Sequence, residues 1–254
     1  MDAVSAARRS ARRAVVRAAD ITRVHYGYIV SPKGYPDAGQ PLPVSGFLIR
    51  HPEGIFLFDT GMSPFEEDVR ERYMPRVSSP LDAVGAAGIA PTDLIGIANC
   101  HMHADHAGGN SDFPGVPIYV QRPELEAART PEYTYPKHCF DFPDARLEIV
   151  DGEHQVLPGM RLVPTPGHTS GHQSLLIDTD LGVVMLAGQA SNTTWEFSTA
   201  AFAERLDATL GDRIGTYPDW MPGLRQWRVR RAMFAHDLLV WESDESDLGK
   251  PERR

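Results

Sequence analysis

The sequence predicts an α/β protein of two β-sheets with helices on their outer faces. Three observations carry this. In the first half, short β-branched or apolar runs alternate with helical stretches. Between Leu147 and Ala187, apolar runs follow one another with only turn residues between them. The last third then returns to a helical stretch followed by another apolar run.

Residues 22–30 are β-branched and aromatic, as a strand requires. Pro32, Gly34, Pro36, Gly39, Pro41 and Pro43 mark 31–43 as a loop. Residues 44–50 and 55–59 read as strands joined by a hairpin at Pro52-Glu53-Gly54. Helical stretches in 64–90 are interrupted by Pro75 and Pro80. Leu94–Ala98 and residues 116–120 read as buried strands, and Pro123 opens a helix towards Arg129. Tyr133, Tyr135, Phe140 and Phe142 either line a substrate mouth or cover the core. His138 is expected at the surface or at a cap. Runs at 147–150, 155–157, 160–164, 174–178 and 182–187 are the sheet-rich middle. Phe197, Ala200, Ala201, Ala203, Leu206 and Leu210 have helical spacing, and Trp195, Trp220 and Trp227 are expected to pack. Met221-Pro222 starts another helix towards Arg231, and 232–235 is a strand delivering His236 and Asp237.

Apolar residues make up 42% and charged residues 23%, which is ordinary for a soluble globular chain. At 254 residues the expectation is one main domain, 21–242, with an Arg-rich helical extension at 1–20 and a polar tail at 243–254. A net charge of −9 argues against non-specific nucleic-acid binding. No run of eighteen apolar residues exists, so no transmembrane segment is expected. The extension carries Arg8, Arg9, Arg12, Arg13 and Arg17 with no acid between Asp2 and Asp20. It reads as a transit peptide, a membrane-surface helix, or a helix packed on the domain or on a partner chain. The last is preferred and leaves room for a homodimer. It lacks the continuous apolar stretch of a secretory signal, so the expected location is cytoplasmic. Two cysteines, Cys100 and Cys139, do not make a disulfide scaffold, and Cys100 is expected in the core.

The chemistry concentrates at residues 100–110, C-H-M-H-A-D-H-A-G-G-N. In an extended strand end, residues i and i+2 point the same way, so His101 and His103 can share a metal ion. The chain must then turn, and Asp105 and His106 point back towards a second position. Gly108 and Gly109 allow close packing there. Imidazole nitrogens with a carboxylate form a zinc-type ligand set.

This pattern resembles the H-x-H-x-D-H signature of the metallo-β-lactamase superfamily. The likeness extends to Asp59-Thr60-Gly61 upstream and to Thr165-Pro166-Gly167-His168 downstream. Its subgroup of nearest resemblance is the N-acyl-homoserine lactonases, over roughly residues 25–240. The resemblance implies an αβ/βα sandwich of two mixed β-sheets. It implies a first zinc on His101, His103 and His168, and a second on Asp105, His106 and His236. Asp59 would hold a metal histidine through its free ring N–H. His172 falls outside the ligand pattern and is read as structural, bonding backbone. Two positions depart from the lactonases. Gln189 stands where they carry an aspartate bridging both metals, so it is a weak or absent ligand, because an amide oxygen is neutral. Asn192 stands where they carry a tyrosine that helps hold the substrate carbonyl, so its role in substrate binding is altered. One firmly bound Zn²⁺ and a weaker second are expected.

The expected function is a zinc-dependent hydrolase opening a lactone or ester of a small-molecule substrate, with Asp105 orienting water or carrying a proton. Two alternatives remain open. One is a hydrolase of thioesters, carbamates, β-lactams or phosphotriesters. The other is a metal-binding ligand module with little turnover.

Overall fold

The computed structural model describes residues 16–34, 37–63, 67–130, 133, 139–211 and 215–243. Its strands are β1 (Ile21–Val30), β2 (Pro41–His51), β3 (Gly54–Phe58), β4 (Arg76–Val77), β5 (Leu94–Ala98), β6 (Pro117–Gln121), β7 (Arg146–Val150), β8 (His154–Leu157), β9 (Met160–Pro164), β10 (Gln173–Thr179), β11 (Gly182–Gly188), β12 (Val229–Phe234) and β13 (Val240–Glu242). Its helices are α1 (Glu67–Tyr73), α2 (Pro80–Ala86), α3 (Ala104–Ala107), α4 (Arg122–Ala128), α5 (Thr194–Leu210) and α6 (Gly223–Gln226). The strands form a seven-stranded sheet in the order β4-β1-β2-β3-β5-β6-β7 and a six-stranded sheet in the order β13-β12-β11-β10-β9-β8. Both are mixed: β3, β5, β6 and β7 run parallel in the first, and β11 and β12 in the second. This is the expected two-sheet α/β architecture.

Strand alternation explains how both faces of each sheet are buried. Phe47, Ile49, Phe56 and Phe58 of the first sheet meet Leu162, Leu175, Ile177, Val184 and Leu186 of the second in the central core. The intervening Leu48 and Leu57 point the other way, into the layer with Val84 of α2. Leu176 and Met185 likewise point outward, against Phe197 of α5 and Leu224 of α6. Period-two burial on both sides is why these strands read as continuous apolar runs.

Five features differ from the sequence reading, the first being that residues 41–43, read as loop, already pair with β1 as the start of β2. The helix expected from Met221 towards Arg231 is only α6, because Arg228 takes a left-handed φ of 56° and Val229 begins pairing with β11. In α5, Phe197 faces the core, but Trp195, expected to pack, is 78% exposed, and Leu206 and Leu210 are exposed too, while Trp220 and Trp227 pack as expected. Between the helices of 64–90, β4 pairs with Gly27 and Tyr28 of β1. Within the 1–20 extension, residues 18–20 form a 3₁₀ turn rather than an α-helix. Val16 is buried and bridges to Thr179, and the Ala18 N–H donates to Asp180. The remainder of that extension, Tyr135, His138 and the tail from 244 lie outside the described residues. Among the described residues, no helix is long and apolar enough to cross a membrane.

Candidate metal centre

The site lies where β3, β5, β9, β11 and β12 end, and each of these strands delivers a polar residue to it. After β5, the Cys100 N–H donates to Asp59 Oδ1 at 2.7 Å, fixing the start of the histidine loop. His103 is then the N-cap of α3, so Asp105 and His106 sit on one helical turn rather than on an irregular turn. The Thr60 N–H donates to the His106 carbonyl at 2.8 Å and ties that turn to the end of β3. A Cβ at Gly109 would lie 2.5 Å from the Thr60 carbonyl oxygen, so the turn packs this closely only with glycine there.

Two groups of ligand atoms converge. His103 Nδ1 is 2.9 Å from His101 Nε2 and 3.0 Å from His168 Nε2. His236 Nε2 is 3.1 Å from His106 Nε2 and 3.2 Å from Asp105 Oδ2. A single ring proton cannot satisfy three imidazole nitrogens this close together. A shared cation can, since tetrahedral zinc at its usual Zn–N distance spaces its nitrogens roughly 3.3 Å apart. The residues therefore fit a metal: His101, His103 and His168 could hold one ion, and Asp105, His106 and His236 a second.

The outward nitrogens set which lone pairs face inward. His106 Nδ1 lies 3.0 Å from Asp59 Oδ2, and His236 Nδ1 lies 2.7 Å from the Pro43 carbonyl oxygen. Both acceptors hold Nδ1–H, so in the neutral ring that could ligate a metal the lone pair is on Nε2 and faces the cluster. Cys100, buried in the core, places Sγ 3.2 Å from His101 Nδ1. His172 is structural: its Nδ1 pairs with the Thr165 hydroxyl and its Nε2 accepts the Gln189 N–H, so it holds two of the loops.

Burial lowers His101 and His103, and together with the neighbouring histidines it takes His168 down to about 3, which favours neutral ligand rings. Burial also works to lower His106, but the Asp105 and Asp59 carboxylates outweigh it and push that ring up to about 9. Burial works to raise Asp105, but His106 and His236 outweigh it and hold its carboxyl well below the usual range.

Gln189 Oε1 faces His106 Nε2 at 3.1 Å, and its amide N–H donates to Asn192 Oδ1 at 3.0 Å. Asn192 stands just before α5, whose capping box of Thr193 and Glu196 fixes the chain there. Both residues line a small cleft of about 110 Å³ together with His103, Asp105, His168 and His236. Ile29, Leu42, Met62 and Tyr73 give the cleft an apolar wall. Tyr133 packs its ring 4.9 Å from that of His103 and also against a core cluster, as Phe140 and Phe142 do. Sequence reasoning missed the Pro43 carbonyl and Glu124, neither of which has a local motif.

Residues 39–194 match the model of the metallo-beta-lactamase superfamily. An N-acyl homoserine lactonase of Bacillus sp is 40% identical over 182 residues, covering 66% of this chain and 72% of that protein. The fold is similar to that of a mutant of B. thuringiensis AiiA with N-decanoyl-L-homoserine bound at the active site. There the TM-score is 0.69 at 29% identity, over 88% of this chain and 94% of that one. It is also similar to an N-acyl homoserine lactone hydrolase with the product N-hexanoyl-L-homoserine bound at the catalytic metal centre. In that case the TM-score is 0.68 at 29% identity, with the same coverages. The two-sheet sandwich, the paired ligand clusters at its strand ends and these matches agree, and the chain belongs to the metallo-beta-lactamase superfamily.

Proposed function

We propose that this protein is a zinc-dependent hydrolase that opens lactones, with N-acyl homoserine lactones as the substrate class. The observation that carries this reading is the meeting of two ligand clusters in one cleft with an apolar wall. The names of the similar proteins support the substrate class. Zinc, when bound, supplies Lewis acidity that lowers the pKa of a water it holds towards 7.

The chain's own residues supply the rest. Asp105 reaches the cleft, and its carboxylate orients the attacking water. It then carries the water's proton to the ring oxygen as the acyl C–O bond breaks, so one water adds and one hydroxy acid leaves. Asn192 Oδ1 accepts the Gln189 amide N–H, which leaves the Asn192 NH₂ to donate to the substrate carbonyl. Ile29, Leu42, Met62 and Tyr73 hold the acyl chain away from water. With a neutral amide at Gln189, the second ion is held more loosely than the first. We place the protein in the cytoplasm, a compartment that keeps the buried free thiols of Cys100 and Cys139 reduced.

The test is proton release by purified, zinc-supplemented protein on a panel of N-acyl homoserine lactones and aryl esters, run beside metal analysis. Lactone opening abolished by a chelator and restored by zinc is expected. A folded, metallated protein that opens no lactone faster than its His101→Ala variant would sink the proposal.

A further inference from the structure

The three nitrogens of the first cluster come from two loops on different sheets: His101 and His103 follow β5, and His168 follows β9. A usable metal site needs those loops held to within about 0.5 Å of the productive geometry. One buried group reaches both. Glu124, on the first turn of α4, is 1% exposed. Its Oε1 accepts the Met102 N–H at 2.8 Å, between the two histidines of the first loop, and also the Tyr133 hydroxyl. Its Oε2 accepts the Thr169 hydroxyl at 2.6 Å and the Gly171 N–H at 3.2 Å, just beyond His168. None of these donors is a cation, and among the described residues no Lys or Arg pairs with Glu124. A carboxylate buried without a counter-charge is costly unless its acceptors are filled, and here both oxygens are. The contact is also close in the backbone. A Cβ on Gly171 would lie 2.1 Å from the Glu124 nitrogen, so α4 presses directly on the His168 loop.

We propose that Glu124 is a positioning residue whose carboxylate fastens the His101–His103 loop to the His168 loop and so sets the geometry of the first metal site. This rests on the ligand assignment under the proposed function. The second cluster is braced elsewhere, by Asp59 and the Pro43 carbonyl, so the action of Glu124 is selective for the first site.

Glu124→Gln is the informative change because it keeps the shape. Whichever way the amide turns, its NH₂ faces a backbone N–H, of Met102 or of Gly171, that cannot reverse its role. Zinc affinity is measured by competition with a chromophoric chelator in two backgrounds. His236→Ala leaves only the first site, and His168→Ala leaves only the second. Glu124→Gln should weaken the first site roughly tenfold, the lower end of the range for groups that orient ligands, and leave the second within about twofold. Equal weakening of both sites, or an unchanged first site, would overturn the clamp. If Glu124→Gln does not fold, Thr169→Val, which keeps the carboxylate and removes one donor, should weaken the first site alone by a smaller factor. An unaffected first site in that variant is equally decisive against the clamp. If the otherwise unchanged chain binds no zinc in the His236→Ala background, the ligand assignment itself fails, and the clamp with it.

Discussion

Asp59→Asn separates charge from shape at the residue that braces the second cluster. Asp59 is fully buried at the end of β3 with a left-handed φ of 64°, a conformation Asn adopts as readily as Asp, so the backbone contributes little to the change. One side-chain oxygen must go on accepting the Cys100 N–H at 2.7 Å. The new NH₂ then faces His106 Nδ1 at 3.0 Å, where the wild-type carboxylate accepts. Two donors cannot share that contact. His106 either gives up the bond or moves its proton to Nε2, the atom 3.1 Å from His236 Nε2 on which the second ion would sit. A protonated nitrogen cannot ligate. The expected cost is roughly 10–100-fold in second-site zinc affinity, or about 1.4–2.7 kcal/mol. His101 Nε2, His103 and His168 do not touch the Asp59 carboxylate, so the first site should hold within about threefold. Chelator competition in the His168→Ala background reads the second site directly. Unchanged affinity there, in a folded Asn variant, would show that Asp59 does not set the His106 tautomer, and the bracing argument would be wrong.

Replacing His101 or His103 by Ala should remove the first ion and nearly all hydrolysis, read by metal analysis and initial rates. Wild-type protein dialysed against a mild chelator should keep fewer than two zinc ions per chain. Gln189→Asp, which puts a carboxylate beside His106, should retain more of the second ion; equal, full retention by both proteins would refute the charge argument. Deleting residues 1–20 removes Val16 from the core and the Ala18–Asp180 bond. Losing a buried valine costs about 1.5–3 kcal/mol, a drop of about 3–10 °C in Tm, with hydrolysis unchanged at lower temperature.

What could be read from the chain alone was whatever periodicity or local spacing encodes. Leu94–Ala98 emerges as β5 with the bounds its apolar run implied, and His101, His103, Asp105 and His106 converge because six consecutive residues leave the backbone few options. His168 and His236 were assignable only through the resemblance, since a lone histidine after a turn or a strand says nothing about what it faces. Other features were illegible for physical reasons. Leu206 and Leu210 fit the helical stripe of Phe197, but the second half of α5 buries Glu204, which accepts from Arg225, and Asp207, which accepts the Gly215 N–H, and apolar period alone cannot show that a buried face is polar. The Met221 helix stops early because pairing with β11 wins over local propensity from Val229 onward. In the sequence nothing sets Glu124 apart from an ordinary acid in the first turn of a helix, where a carboxylate favours the dipole. Its four donors lie at Met102, Tyr133, Thr169 and Gly171, up to 47 residues away, and no local pattern announces them. The candidate ligands of the motif are legible because metal chemistry restricts residue type; Asp59 was assignable only through the resemblance and Glu124 not at all, because any buried acceptor at the right point in space would serve. Variants that alter metal affinity without touching a ligand are therefore to be sought among buried polar residues such as Asp59 and Glu124, which the motif itself does not contain.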